Sequence, residues 1–405
     1  MNAYLFSCMS DVAMYTFVLN GLYMGYQSIA SLCYKNLPNV SNNELPSISV
    51  LVPAYNESQQ AAITLESIYC QSNYPKDKLE IIAINDGSKD DTAEWITRSV
   101  TKYPAIKFIN NSVNMGKRHA LYDGIVQSSN EIIISVDSDT NVEENTLRNL
   151  VIPFINNDKV GAVAGNIKVL NINEGIIPKL MQISFSFSFD FIRASQSVTD
   201  SLYICPGALS AFRKSYMTNF LEDWRDETFM GTPAKIGEDS SLTIKFIQDG
   251  YDVKFAKNSI AYTSVPTEYP KLKNMLLRWG RSGVRNLITL APVFINTNIF
   301  SKLGLKINIA MTFLNSVITP FICMAYIMGL FIGNFHIDSI LSMGLLLVAT
   351  APALIYIVNR TKGEALSNAM YSYVYTIYYT LFLSWIPIWA LITVKNSGWL
   401  TRNKK

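Results

Sequence analysis

Two carboxylates, Asp137 and Asp139, close the apolar run Ile132-Ile133-Ile134-Ser135-Val136 with one serine between them. Acids this close repel each other, and one is driven neutral unless a cation sits between them. A hard divalent ion such as Mg²⁺ or Mn²⁺, already carrying diphosphate oxygens, suits one or two such ligands plus water. A solvated Asp-rich turn at the end of a strand would use the same residue types. What surrounds the pair decides between these readings.

The elements around the pair alternate. "PSISVLVPAYNES" reads as a strand ended by Pro53, and "AAITLESIYCQS" has helical spacing. "LEIIAINDGSKDDTAEWITRSV" is strand, polar turn, helix; "AIKFINNSVNMGKRHALYDGIVQSS" repeats that order; "NEIIISVDSDT" adds a buried strand. Strands alternating with helices predict a parallel sheet covered on both faces. Ligands bind such sheets beyond the carboxyl ends of the strands. The polar residues ending these strands, Asn56, Glu57, Asp86, Asp137 and Asp139, would then gather along one edge.

The chain of 405 residues is 49% hydrophobic and 16% charged, too apolar for an ordinary cytosolic enzyme. Residues 12–34 contain no charge and are long enough to span a bilayer, and residues 307–337 (save His336), 339–359 and 365–394 are further uncharged runs. The first run lacks a basic lead and a small-residue cleavage site, so it reads as a retained anchor. Lys35, Lys302, Lys306, Arg360 and Lys362 place the soluble insert in the cytoplasm. The basic tail "VKNSGWLTRNKK" fits that orientation only if the stretch holding Pro387 is broken or re-entrant. Five scattered cysteines without a CxxC pair suggest neither a disulfide framework nor a zinc site. A net charge of +3 gives no reason to invoke a nucleic acid.

Seven short motifs in order, "VPAYNE", "NDGS", "NMGKRHAL", "SVDSDT", "CPGALSAFR", "GEDSSLT" and "LRWGRS", resemble the processive family 2 glycosyltransferases. These are membrane synthases of hyaluronan, chitin oligosaccharides, poly-N-acetylglucosamine and cellulose. GKR and VDSDT together look most like hyaluronan synthases and nodulation-type chitooligosaccharide synthases. The resemblance covers roughly residues 46–290. It implies an α/β GT-A (Rossmann-like) cytosolic domain inserted between transmembrane helices, with amphipathic interface helices. The implied layout is an anchor at 1–36, the GT-A domain at 46–265 and an interface helix at 266–300. A transmembrane region at 301–396 and a basic tail at 397–405 would complete it.

The same resemblance implies roles. Ala54, Tyr55, Glu57 and Asp86 would hold the uracil and ribose of a UDP-sugar, and Lys117 would approach the nucleotide or its phosphates. Asp137 and Asp139 would engage the sugar and the diphosphate with its Mg²⁺ or Mn²⁺. Asp239 would be the general base with Glu238 beside it, Arg278 would neutralise the departing diphosphate, and Trp279 would stack under the acceptor glycan. The chemistry is coherent. A sugar hydroxyl attacking an anomeric carbon must lose a proton, and a positioned carboxylate supplies about 10²–10⁴ in rate by taking it. A cation and an arginine stabilise the charge that develops on the leaving group.

Each role has a plainer rival. Asp239 and Glu238 could be the first turn of "SLTIKFIQDG", Lys117 and Arg118 an exposed basic turn, and "KLKNMLLRWGRSGVRNLITL" simply an amphipathic helix at a membrane surface. His119 reads as structural, and no role falls to His336. The family's Gln-x-x-Arg-Trp is Met275-Leu276-Leu277-Arg278-Trp279 here, which bears on chain extension; Asn85 replaces the first of two aspartates before Gly-Ser. "ISFSFSFDFIRAS" alternates like a strand, yet Phe185, Phe189 and Ile192 also keep helical spacing, and a helix is expected. "CPGALSAFRKS" supplies a small-residue turn where an acceptor could approach the backbone.

Overall fold

The computed structural model describes residues 3–70, 73–155, 157–296, 298, 301–322, 324–325 and 365–398. Along the chain, α1 (Ala3–Leu32) precedes β1 (Ile48–Ala54), α2 (Gln59–Tyr69), β2 (Leu79–Asp86) and α3 (Thr92–Lys102). Next come β3 (Ile106–Asn111), α4 (Lys117–Gln127), β4 (Ile132–Val136), β5 (Thr140–Val142), α5 (Thr146–Val151) and β6 (Val160–Val169). α6 (Ile176–Phe185) and α7 (Ala194–Val198) flank a π-helical stretch, Ser186–Arg193. β7 (Leu209–Arg213), α8 (Leu221–Arg225), the short strands β8 (Thr228–Phe229) and β9 (Thr232–Pro233), α9 (Glu238–Gln248) and β10 (Asp252–Thr263) follow. The described helices end with α10 (Tyr269–Asn296), α11 (Leu303–Phe313), α12 (Ala365–Tyr378) and α13 (Ile386–Ile392).

Two compact units divide these elements. Residues 35–171 and 202–265 form a sheet unit; residues 1–34, 172–201 and 266–405 form a helical one. The main sheet has eight strands in the order β3-β2-β1-β4-β7-β6-β10-β5. β1 is buried along its whole length, as are all five residues of β4, which explains why both read as continuous apolar runs. The four strands β3-β2-β1-β4 are parallel, as the alternating pattern predicted.

The sheet is mixed, however, and the expectation of a purely parallel one is corrected: β7 is antiparallel to both β4 and β6, and β5 is antiparallel to β10. The cause is a connection. β6 runs in the same sense as β4, the chain leaves the sheet at its carboxyl end, and it returns at that edge after residue 201, so β7 must run back. Register then pairs Val136 with Leu209, which sets the residues preceding β7 beside those following β4.

In the helical unit, the alternating Ser/Phe segment is helical as expected. Phe185–Phe189 and Phe187–Phe191 meet at centroid separations of 5.7 and 5.6 Å, the contacts of residues one turn apart. α10 runs for 28 residues, but its basic residues do not all face outward. Arg281 and Arg285 are buried; Arg281 donates to the Thr393 hydroxyl at 3.0 Å and Arg285 to the Val394 carbonyl at 2.9 Å. They satisfy groups at the C-terminal end of α13, where a helix favours cations.

Among the described residues one helix, Leu303–Ile322, is long and apolar enough to cross a membrane. A second span results if Tyr371–Leu383 and Ile386–Ile392, bent by 41° at the break just before Pro387, count as one. α1, 30 residues long, contains most of the uncharged run at residues 12–34. His336, Arg360, Lys362, the whole of the 339–359 run and the end of the tail lie outside the described residues.

Candidate active site

β4 ends at Val136 and the chain turns at once. The Thr140 N–H donates to the Asp137 carbonyl at 3.0 Å, closing a turn whose first and third residues are Asp137 and Asp139. Thr64 of α2 pins the turn from behind, its hydroxyl donating to the Ser138 carbonyl at 2.8 Å. Both aspartates are half-buried. Gly207, just before β7, is the point where the site converges. Its N–H donates to Asp239 Oδ2 at 2.9 Å. A Cβ built on it would lie 2.7 Å from Lys117 Nζ, 3.5 Å from Asp239 Oδ2 and 3.6 Å from Asp137 Oδ2.

Lys117 opens α4 and pairs with Asp137 and, at 3.1 Å, with Glu238 Oε1. Its position is set from β2. Asp86, the last residue of that strand, accepts the N–H groups of Met115 and Gly116, one on each oxygen and both at 2.9 Å. Gly116 has φ 96°, which side chains beyond glycine rarely adopt, so the loop reaches Lys117 by a route only glycine takes easily. The loop after β1 is clasped in a similar way: the N–H groups of Glu57 and Ser58 donate to the Thr92 hydroxyl at 2.9 and 2.8 Å.

One ammonium thus serves several carboxylates. Burial by itself pushes the Lys117 ammonium down, but Asp137, Glu238 and Asp239 around it carry it above its usual value, so it stays charged. Burial raises the Asp239 carboxyl, and the Glu238 charge beside it adds to that; Lys117 and the N–H groups of Ser240 and Gly207 pull the other way. The result is a carboxylate more basic than usual, held in a fixed position and half-exposed to the cleft. Burial also raises Asp86, against the two backbone N–H groups that favour its charged form. Among the described residues no group of three or more His, Cys, Asp or Glu side chains is arranged to hold a metal ion.

The model of the family described as glycosyl transferase family 2 matches residues 49–220. This chain carries a family 2 glycosyltransferase domain. By class it is a hexosyltransferase. The hyaluronan synthase of Streptococcus pyogenes serotype M3 is 27% identical to the transferase over 415 residues, spanning 100% of this chain and 94% of that protein. An N-acetylglucosaminyltransferase of Neorhizobium galegae is 28% identical over 364 residues, spanning 88% of this chain and 80% of the other. The solved structure of mannosyltransferase PcManGT from Pyrobaculum calidifontis, in complex with GDP-Man and Mn²⁺, overlays with a TM-score of 0.60 at 19% identity. The overlay covers 92% of the transferase and 99% of that chain, and it shows a shared GT-A-like fold.

The sheet unit of the transferase therefore gathers Lys117, Asp137, Glu238 and Asp239, and sets Ala54, Tyr55, Glu57 and Asp86 at the carboxyl ends of β1 and β2. Arg278 and Trp279 belong to the helical unit, on α10; Trp279 is 41% exposed and lies against Phe185 at a centroid separation of 6.2 Å. Arg118 is no exposed basic turn. It is 5% exposed, sits over the Trp224 ring at 5.1 Å, and binds the Trp224 carbonyl at 2.7 Å and Glu227 at 2.8 Å. Trp224, fully buried, donates its indole N–H to the Glu238 carbonyl at 3.0 Å. Sequence reading passed over Trp224 and Glu227. The signal available was a lone tryptophan amid the charges of "LEDWRDE".

Proposed function

We propose that this transferase is an integral membrane, inverting β-glycosyltransferase with a cytoplasmic catalytic domain. It extends a hyaluronan- or chitin-like polysaccharide from UDP-sugar donors and passes it across the bilayer. The observation that carries the reading is the convergence of Lys117, Asp137 and Asp239 on the backbone of Gly207. Likeness to hyaluronan synthase and to an N-acetylglucosaminyltransferase over most of the chain supports a hexosamine-containing product. The apolar helix Leu303–Ile322 supports the membrane.

In this reading Asp239, made basic by burial, accepts the proton of the acceptor hydroxyl as its oxygen bonds to the anomeric carbon. The bond from that carbon to the diphosphate oxygen breaks on the opposite face, so an α-linked donor gives a β-linkage. Lys117 and Arg278 offset the negative charge that collects on the departing UDP. Gly207 leaves the space that a side chain would take from the reacting groups. Asp139, with Asp137 shared with Lys117, offers the hard oxygen donors that suit Mg²⁺ or Mn²⁺ alongside diphosphate oxygens. Such an ion supplies positive charge at the leaving group when bound. Ala54, Tyr55, Glu57 and Asp86 frame the nucleoside, and Trp279 stacks on the acceptor.

Purified protein with Mn²⁺ or Mg²⁺ is expected to release UDP from a UDP-N-acetylhexosamine, and Asp239→Asn or Asp139→Asn to abolish that release. Wild-type turnover in either variant would refute the assignment. Met275, buried and apolar where the family has a polar glutamine, favours a second reading, single addition to a lipid-linked acceptor. Product length by mass analysis separates the two.

A further inference from the structure

Cys205-Pro206-Gly207, in the small-residue turn before β7, offers only two backbone donors, because Pro206 has no N–H. Both are directed at the start of α9. The Gly207 N–H reaches Asp239 Oδ2 at 2.9 Å, and the Cys205 N–H reaches the Thr243 hydroxyl at 3.2 Å. That hydroxyl in turn donates to the Asp239 carbonyl at 2.8 Å, one helical turn back. Thr243 and Cys205 are both 0% exposed, so water does not compete for the hydroxyl. A threonine bonding the carbonyl four residues earlier is ordinary in a helix. The unusual feature is that the same oxygen also accepts a backbone N–H from a turn 38 residues away in sequence. The Leu209 N–H closes that turn, donating to the Pro206 carbonyl at 3.2 Å.

We propose that Thr243 is a positioning residue for glycosyl transfer: its hydroxyl staples the Cys205–Gly207 turn to α9 and so keeps the Gly207 N–H on the Asp239 carboxylate. The bonds run in series from the Cys205 N–H through the Thr243 hydroxyl to the Asp239 carbonyl, and each polarises the next. The Ser240 N–H meets Asp239 Oδ1 at 2.8 Å, so with Gly207 on Oδ2 both oxygens have a backbone donor and the plane of the carboxylate is fixed. The Ser240 donor belongs to α9 itself. The Gly207 donor arrives from outside the helix, and the Thr243 hydroxyl ties its turn there. Loosening the turn frees Oδ2 and lets the carboxylate rotate away from the hydroxyl whose proton it takes. Thr243 acts on the reaction through Asp239. The kinetic part of this inference rests on Asp239 being the proton acceptor; the staple itself does not.

Two measurements test it. In hydrogen exchange on the full-length protein, the Cys205 and Gly207 amides are expected to be protected in the unaltered chain. Exchange there should quicken about fivefold in Thr243→Val, which keeps the shape of the side chain and removes the hydroxyl, and stay within about twofold in Thr243→Ser. Rapid exchange of both amides in the unaltered protein would overturn the proposal even where the Val variant does not fold. With UDP-N-acetylglucosamine and Mn²⁺ as probe, Thr243→Val should lose about fivefold in kcat, the effect of about one hydrogen bond, with KM within about twofold. Thr243→Ser, which keeps the hydroxyl, should retain at least about half of the wild-type kcat. A folded Val variant with unchanged kcat, or a Ser variant as impaired as the Val one, defeats the positioning role. Asp239→Asn separates the two levels: if it stays active the functional reading fails, while the staple stands or falls on the exchange. If it is inactive and Thr243→Val exchanges and turns over like the wild type, only the present inference fails.

Discussion

Gly207→Ala places one methyl group at the centre of the site. The new Cβ would sit 2.7 Å from Lys117 Nζ, where ordinary contact begins near 3.4 Å, so the ammonium must retreat by about 0.7 Å. Its contact with Glu238 Oε1 is 3.1 Å. Lengthening that pair by about 0.7 Å at an effective dielectric of about 20 weakens it by about 1 kcal/mol. The shorter contact with Asp137 loses at least as much if it lengthens equally, so the total is about 2–3 kcal/mol, or roughly 30- to 150-fold in kcat/KM. Gly25→Ala, on α1 with nothing within 4 Å of its would-be Cβ, is the matched control and should leave turnover unchanged. The assay is UDP release at subsaturating donor, with thermal unfolding to show that both variants fold. Turnover of Gly207→Ala within about twofold of wild type would mean that Lys117 is not held where its charge matters, and the site as described would be wrong.

Three further outcomes follow from the same geometry. Because Asp239 is raised and must be ionised to accept a proton, kcat should fall as pH drops through a limb lying above the ordinary carboxylate range. Glu238→Gln removes one cause of the shift and should move that limb to lower pH, and a limb that stays put or rises contradicts the electrostatic account. Asp86→Ala leaves the Met115 and Gly116 N–H groups without their acceptor and should destabilise the fold by about 2–3 kcal/mol while lowering kcat/KM more than tenfold; a change in KM alone would mean that Asp86 touches only the donor. Arg118→Ala leaves Glu227 with only the Ser241 hydroxyl of these two partners, frees the Trp224 carbonyl and uncovers the Trp224 ring, which predicts a loss of about 2–3 kcal/mol in chemical denaturation, whereas a surface arginine would cost under about 0.5 kcal/mol.

Much of the sheet was legible from residues. The unbroken apolar runs at Ile48–Ala54 and Ile132–Val136 gave buried parallel strands, and the acids and asparagines at their ends marked the edge where chemistry gathers. The segment with alternating Ser and Phe was ambiguous in period alone, and phenylalanine pairs one turn apart resolved it as helix. Arg281 and Arg285 read as a basic surface, because local pattern does not report a distant helix end in need of cations. The reversal of β7 was likewise invisible: a strand's direction is set by where the chain re-enters the sheet, and no residue within Leu209–Arg213 encodes it.

By itself the sequence determined which chemistry is present: two acids one residue apart, a third acid at the start of a helix, a lysine after a glycine turn, and apolar runs to carry them. Residue type and spacing are local properties, so a linear reading reaches them. Tertiary structure alone decided that Gly207, some seventy positions beyond Asp137, supplies the floor on which Lys117, Asp137 and Asp239 meet. It also decided that a buried Arg118–Trp224 pair braces α9 through the Glu238 carbonyl. Such meetings depend on strand order and register, which long-range packing fixes and which short stretches of chain do not contain.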